Sequence, residues 1–299
     1  VLLRAPAFLA VGLLALLLAR AASAATLEDA MEFGGRKRWW LVHAPAAGGA
    51  AGPRPLVLVL HGGGGTPHGA ERMSDMNALA DREGFIAVFP AGTGLLSRHL
   101  LTWNSGNCCG WAMKGNVDDV GFLSALIDKY VQDGRADPKR VFATGLSNGA
   151  MMAHRLACER ADLLAAIAPV AGAIGIPRCA PSRPVSVLMI HGRGDEYVPY
   201  EGGSGRKSLE RRVDRSVAED LEIWTEADAC RPSGSSDGVV SRRDYACRDG
   251  AAVELLTHAG GHIWPGGHEG LFSGNVDPVL PEPKATEVIW DFFNSHPRR

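Results

Sequence analysis

A single α/β domain, with a mostly parallel central sheet flanked by helices, is predicted by three observations. Leu56-Val57-Leu58-Val59-Leu60 is apolar throughout, as expected of a strand covered on both faces. Further apolar runs at 84–90, 163–170 and 185–190 alternate with segments whose apolar residues recur at helical spacing. No break in composition divides residues 25–299.

Residues 1–24 are a different material. Arg4 supplies positive charge, 8–19 is apolar, and Ala22-Ser23-Ala24 fits a small-x-small cleavage site. The apolar run is shorter than the ~20 residues of a membrane span and is interrupted by Arg20, so a signal peptide is expected. The mature chain is then a catalytic domain of residues 25–299, soluble and either secreted or periplasmic. A strand is expected at 38–43, followed by an Ala/Gly/Pro-rich turn and the central strand 56–60. Helix 73–83, strand 84–90, a long connection 91–116 and helix 120–131 come next. Asp118 and Asp119 open that last helix, where negative charge is favourable, and are expected to be structural caps. Strand 141–144 leads into a helix; strands 163–170 and 185–190, helix 208–229, strands 239–245 and 253–257 and helix 286–294 complete the chain.

Composition narrows the function. The formal charge is −2, from 31 basic and 33 acidic residues mixed along the chain, which excludes a nucleic-acid footprint and a polybasic membrane surface. The small basic cluster at Arg206, Lys207, Arg211, Arg212 and Arg215 is expected to be a solvated helix face. Six cysteines in an exported chain allow disulfides. Pairing Cys158 with Cys179 and Cys230 with Cys247 would close loops of about 20 residues, each stabilising by roughly 3 kcal/mol. Adjacent Cys108 and Cys109 are left as a vicinal disulfide or as free thiols. No C-x-x-C pair exists, and His258 and His262 are separated by Gly260-Gly261, so no metal site is expected.

Chemistry enters at Gly145-Leu146-Ser147-Asn148-Gly149, a G-x-S-x-G motif between an apolar strand and a helix-period run. A serine hydroxyl is a weak nucleophile, so it must be exposed on a sharp turn beside a base and near oxyanion donors. A second copy of the pattern, Gly234-Ser235-Ser236-Asp237-Gly238, has no apolar strand before it and no helix after it. It reads as a surface turn, and Ser236 is rejected. The central strand ends in His61-Gly62-Gly63-Gly64-Gly65. Lacking the lysine of a phosphate loop, this run reads as an oxyanion loop, with the amides of Gly63 and Asn148 as donors.

A serine hydrolase also needs a base and an acid to orient it. On an α/β-hydrolase sheet the order is Ser, acid, His, and the chain supplies Ser147, Asp195 and His262, each after an apolar strand. Glu196 competes with Asp195, and His258 and His268 compete with His262. The chemistry requires no cofactor, and a monomer is expected.

Leu60-His61-Gly62, Trp103…Cys108-Cys109-Gly110, 117–122, 145–152, His191-Gly192…Asp195…Val198-Pro199-Tyr200 and 261–266 together resemble the polyhydroxybutyrate depolymerase family of exported esterases, which includes feruloyl and acetylxylan esterases. The resemblance implies an α/β-hydrolase fold and assigns the acid to Asp195 over Glu196. The expected substrate is a small-molecule or polymeric ester. With no separate polymer-binding module expected before Arg299, feruloyl- or acetyl-type plant-wall esters or hydroxyalkanoate esters are the expected substrates, and a polyhydroxybutyrate depolymerase proper is the alternative enzyme. A non-catalytic carbohydrate-binding protein on the same scaffold is the alternative outside enzymes. Trp103 and Trp264 are the candidates to stack on a phenolic acyl group, with plain core packing the commoner use of a buried tryptophan.

Overall fold

The computed structural model describes residues 25–45, 52–208, 210–268 and 275–299. The predicted signal peptide lies outside the described residues.

The chain opens with a hairpin, β1 (Leu27–Phe33) and β2 (Arg36–His43), then β3 (Arg54–Leu60). Helices α1 (Pro67–Ser74) and α2 (Met76–Glu83) precede β4 (Ile86–Pro90). After a long connection come α3 (Gly110–Lys114), α4 (Asp119–Gln132), β5 (Ala136–Leu146) and α5 (Asn148–Glu159). Strands β6 (Ala166–Val170) and β7 (Ser186–Gly192), helix α6 (Val217–Ala227) and strands β8 (Arg231–Ser236), β9 (Val240–Ala246) and β10 (Ala252–His258) follow, and α7 (Ala285–Ser295) closes the fold.

All ten strands form one sheet in the order β1-β2-β4-β3-β5-β6-β7-β10-β9-β8. The six central strands, from β4 to β10, are parallel, and the two outer strands on each side are antiparallel. Two apolar clusters cover the two faces, and residues 56–60 of β3 are wholly buried between them. The predicted α/β-hydrolase architecture is the one observed.

Four local expectations need correction. The helix predicted over 73–83 is two helices, because Asp75 takes a left-handed conformation (φ 51°) and ends α1. The helix predicted over 208–229 begins only at Val217. There Ser216 and Glu219 form a reciprocal capping box, the Ser-x-x-Glu signal of a helix start. The basic cluster therefore lies on an irregular segment: Arg206 and Lys207 pair with Glu196, and Arg212 pairs with Asp214. Finally, the second G-x-S-x-G is no turn. Ser236 ends the exposed edge strand β8, far in the sheet order from β5.

Asp118 is a cap, as expected, whereas Asp119 serves as a buried ion-pair partner and not as a cap. Asp118 accepts from the Gly121 amide at 2.8 Å and caps α4. Asp119 is buried against Arg38, with Nη2 to Oδ1 at 2.8 Å, and its other oxygen accepts from the Asn104 amide. Arg38 also donates to the Ala91 carbonyl, so one buried ion pair ties β2 to both ends of the long connection. Cys158 bonds Cys179, Cys230 bonds Cys247, and Cys108 bonds Cys109.

Candidate active site

Ser147 sits between β5 and α5 with φ 58° and ψ −121°, a conformation L-residues rarely adopt. Its flanking glycines are forced by space. A Cβ at Gly145 would lie 2.5 Å from the Leu60 carbonyl oxygen, and one at Gly149 would strike that same atom. The Ser147 amide donates to the Val170 carbonyl at 2.9 Å, fixing the turn to β6.

Asp195 and His262 come from loops after β7 and β10, which are adjacent parallel strands. The pairing continues past the strands: the Arg193 amide donates to the His258 carbonyl at 2.9 Å and the Gly194 amide to the Gly260 carbonyl at 3.0 Å. A Cβ at Gly192 would overlap the Gly260 carbonyl, so the two loops close only because that residue is glycine. This zipper brings His262 Nδ1 to 2.7 Å from Asp195 Oδ2. Asp195 Oδ1 accepts from the amides of Tyr197 (2.8 Å) and Val198 (2.9 Å). Burial pushes the Asp195 carboxyl up, but hydrogen bonds from His191 and His262 outweigh it and hold the group well below the usual carboxylate range. His262 is anchored by its amide on Asp277 and by the buried Ile263 and Trp264 that follow.

The competitors lie elsewhere. Glu196 turns outward to Arg206 and Lys207. His258 is buried, accepts from the Gly260 amide and lines no cavity with Ser147. His268 is exposed beside Asp75.

Ser147, Asn148 and His262 open onto one cavity of about 410 Å³, which Gly62, Gly63, Gly64 and Gly65 also line. A Cβ at Gly63 would be 3.6 Å from that of Asn148, so the glycine run passes directly over the elbow. Asn148 is the first residue of α5, where an amide has no partner within the helix. The loop is set by a residue whose role sequence reasoning missed. His61 Nε2 accepts from the Gly92 amide (3.0 Å), which leaves Nδ1–H to donate to the Gly62 carbonyl (2.8 Å). Burial lowers its pKa to about 4, so the ring stays neutral and keeps this tautomer.

Two expected contacts need correction. Trp103 and Trp264 are both fully buried and neither lines the cavity. The Trp103 indole donates to the His61 carbonyl at 3.0 Å, and that of Trp264 to Thr286 Oγ1 at 3.0 Å, so both hold loops in place. Trp111, 48% exposed, lines the cavity with exposed Leu100 and Val276, and Tyr197 lines it beside His262. Beside Trp111, Glu210 accepts from the Gly110 amide, and Arg212, which also lines the cavity, is held by Asp214 and Ser208. The Asn148 side chain bonds both the amide and the carbonyl of Trp103, stapling the long connection to the elbow.

Residues 39–198 match the family described as esterase PHB depolymerase. NocK of Nocardia uniformis subsp. tsuyamanensis, which is named as an esterase, is 32% identical over 275 residues, spanning 82% of this chain and 76% of that protein. The chain belongs to the PHB depolymerase family of esterases. Feruloyl esterase B of Piromyces equi is 29% identical to this family member over 218 residues, which are 70% of this chain and 39% of that protein. In fold, the acetyl xylan esterase from Aspergillus awamori superposes with a TM-score of 0.61 at 15% identity, covering 90% of this chain and 99% of that one. The family member is thus an esterase with the α/β-hydrolase fold, and no helix among its described residues is long and apolar enough to cross a membrane.

Proposed function

We propose that this esterase is an exported serine carboxylic-ester hydrolase that works through an acyl-enzyme on Ser147. The observation that carries the reading is one cavity holding the strained serine and an imidazole whose far nitrogen is fixed on a buried carboxylate. His262 removes the proton from Ser147, whose oxygen attacks the ester carbonyl. The amides of Asn148 and Gly63 receive the oxyanion, each worth on the order of 100-fold to 1000-fold in rate. His262 then protonates the departing alkoxide, and water repeats the sequence to release the acid. Asp195 holds the imidazole in the required tautomer.

For substrate, feruloyl- or acetyl-type plant-wall esters are preferred, in keeping with the names of the relatives. Trp111 replaces Trp103 and Trp264 as the ring on which an aromatic acyl group would stack. Leu95, Leu96 and Leu100, all exposed, favour hydroxyalkanoate polyester as the second reading. Export through residues 1–24 is supported by the pairing of all six cysteines. A fluorophosphonate probe tests the reading: it is expected to add to the peptide that contains Ser147, and an unlabelled protein would overturn it and leave a non-catalytic binding role.

A further inference from the structure

The motif His191-Gly192…Asp195 contains a histidine to which the proposed reaction gives no task. His191 is the penultimate residue of β7, is 2% exposed and lines no part of the cavity. Its Nε2 lies 2.9 Å from the Val198 carbonyl oxygen and 3.5 Å from Asp195 Oδ2. A carbonyl oxygen only accepts, so Nε2 carries the proton and donates to Val198, with Asp195 Oδ2 3.5 Å from the same nitrogen. We propose that His191 is a positioning residue that fixes the Asp195 carboxylate in the orientation from which it bonds His262.

The arrangement is a clamp. Val198 gives its amide to Asp195 Oδ1 and its carbonyl to His191, so one residue of the loop is held from both sides. The carboxylate is thereby sorted by oxygen: Oδ1 faces two amides, and Oδ2 faces two imidazoles. The His191 ring has no freedom to leave. Tyr200 stands edge-on to it at 5.9 Å and 86°, and the Tyr200 hydroxyl pairs with Thr257 Oγ1 at 3.0 Å. Thr257 is the residue of β10 directly opposite His191 in the parallel register, so the clamp is built into the strand pair that carries the acid and the base. Other ionisable groups in electrostatic reach of His191 are Asp220 on α6, His154 on α5 and His258 at the end of β10; Asp214 is in reach of Asp195. Among the described residues, His154 and His258 have no second partner for Nε2; both are buried and neutral at pH 7, so they offer no competing cation.

The kinetic part of the test rests on the esterase reading, and the spectroscopic part does not. His191→Leu is expected to lower kcat on a short-chain nitrophenyl ester by between about 10-fold and 100-fold with KM unchanged, the effect of a small displacement of a catalytic group. The acid limb of its kcat/KM profile should move about half a unit lower, because an imidazolium facing a misplaced carboxylate is less stabilised. His191→Gln, whose side-chain amide can donate from nearly the same place, should recover activity to within about threefold and restore the limb. Equal losses in both variants with an unmoved pH profile, or a fully active leucine variant, would overturn the proposal. If the leucine protein does not accumulate, His191→Ala is read by the same criteria. Independently of turnover, the low-field proton resonance of the His262–Asp195 bond should shift in the leucine variant and stay put in the glutamine variant. An unshifted resonance would contradict the clamp. A shifted one, in a protein that hydrolyses no ester, would retain the clamp and reject the esterase reading.

Discussion

Ser147, Asp195 and His262 stand at the ends of parallel strands in one sheet, whereas the walls of the same cavity come from 92–111 and 196–214. Among the described residues, those wall segments contain no strand of the sheet, only isolated bridges such as Thr93 to Thr102 and Gly203 to Asp214 and the start of α3. Strand ends are aligned by backbone hydrogen bonds that any apolar sequence can make, so their relative placement is a property of the fold. The walls are placed by particular side chains: Asn148 on Trp103, Asp119 on Asn104 and Glu210 on Gly110. Chemistry is therefore expected to be rigid and shared, and selectivity local and adjustable.

The largest effects are expected at the strand ends. Asp195→Asn or His262→Ala should each cost about 10⁴-fold in kcat with the fold intact, judged by hydrolysis of a short nitrophenyl ester beside near-UV circular dichroism. A loss below tenfold would move the chemistry off the sheet. The wall anchor comes next. Asp119→Ala leaves Arg38 buried and unpaired and should destabilise by about 3–5 kcal/mol, read from the urea midpoint. Little change would mean that the connection is held by other contacts.

A smaller effect is expected within the cavity. Trp111→Ala should raise KM for a methyl ferulate-type ester several-fold, about 1 kcal/mol, and touch an acetyl ester less. Equal effects on both esters would deny the ring a part in selectivity. Stability should also depend on pH. Burial raises the Asp220 carboxyl to about 7. Between about pH 4 and pH 7 the native state then holds a proton that the unfolded chain has released, so stability falls as pH rises, by at most about 1.4 kcal/mol per unit. Asp220→Asn should flatten that slope in urea titrations at pH 4.5 and 7.

The contrast also explains what the sequence made legible. Apolar five-residue runs and the glycines around Ser147 announce strands and an elbow because burial on both faces and a missing Cβ leave direct marks on composition. The wall residues leave none. Trp103, Trp111 and Trp264 are the same residue type, and only three-dimensional neighbours decide that Trp111 meets solvent while the other two are enclosed. The segment 208–216 carries a helix-like charge pattern, yet the Ser216 to Glu219 capping box, also written in the sequence, sets the start of α6 after it. His61 and His191 were visible as letters of motifs. Their roles depend on tautomers set by Gly92, Gly62 and Val198, which no spacing encodes.

The central claim is that one hydroxyl, held on a strained turn above the glycine loop, performs the attack. It is tested most directly by kcat/KM for a short-chain nitrophenyl ester with Ser147→Ala beside the unaltered protein. A fall of about 10⁴-fold or more, with the same fold and the same Tm within a degree or two, is the predicted result. Turnover within tenfold of the unaltered protein would contradict the account.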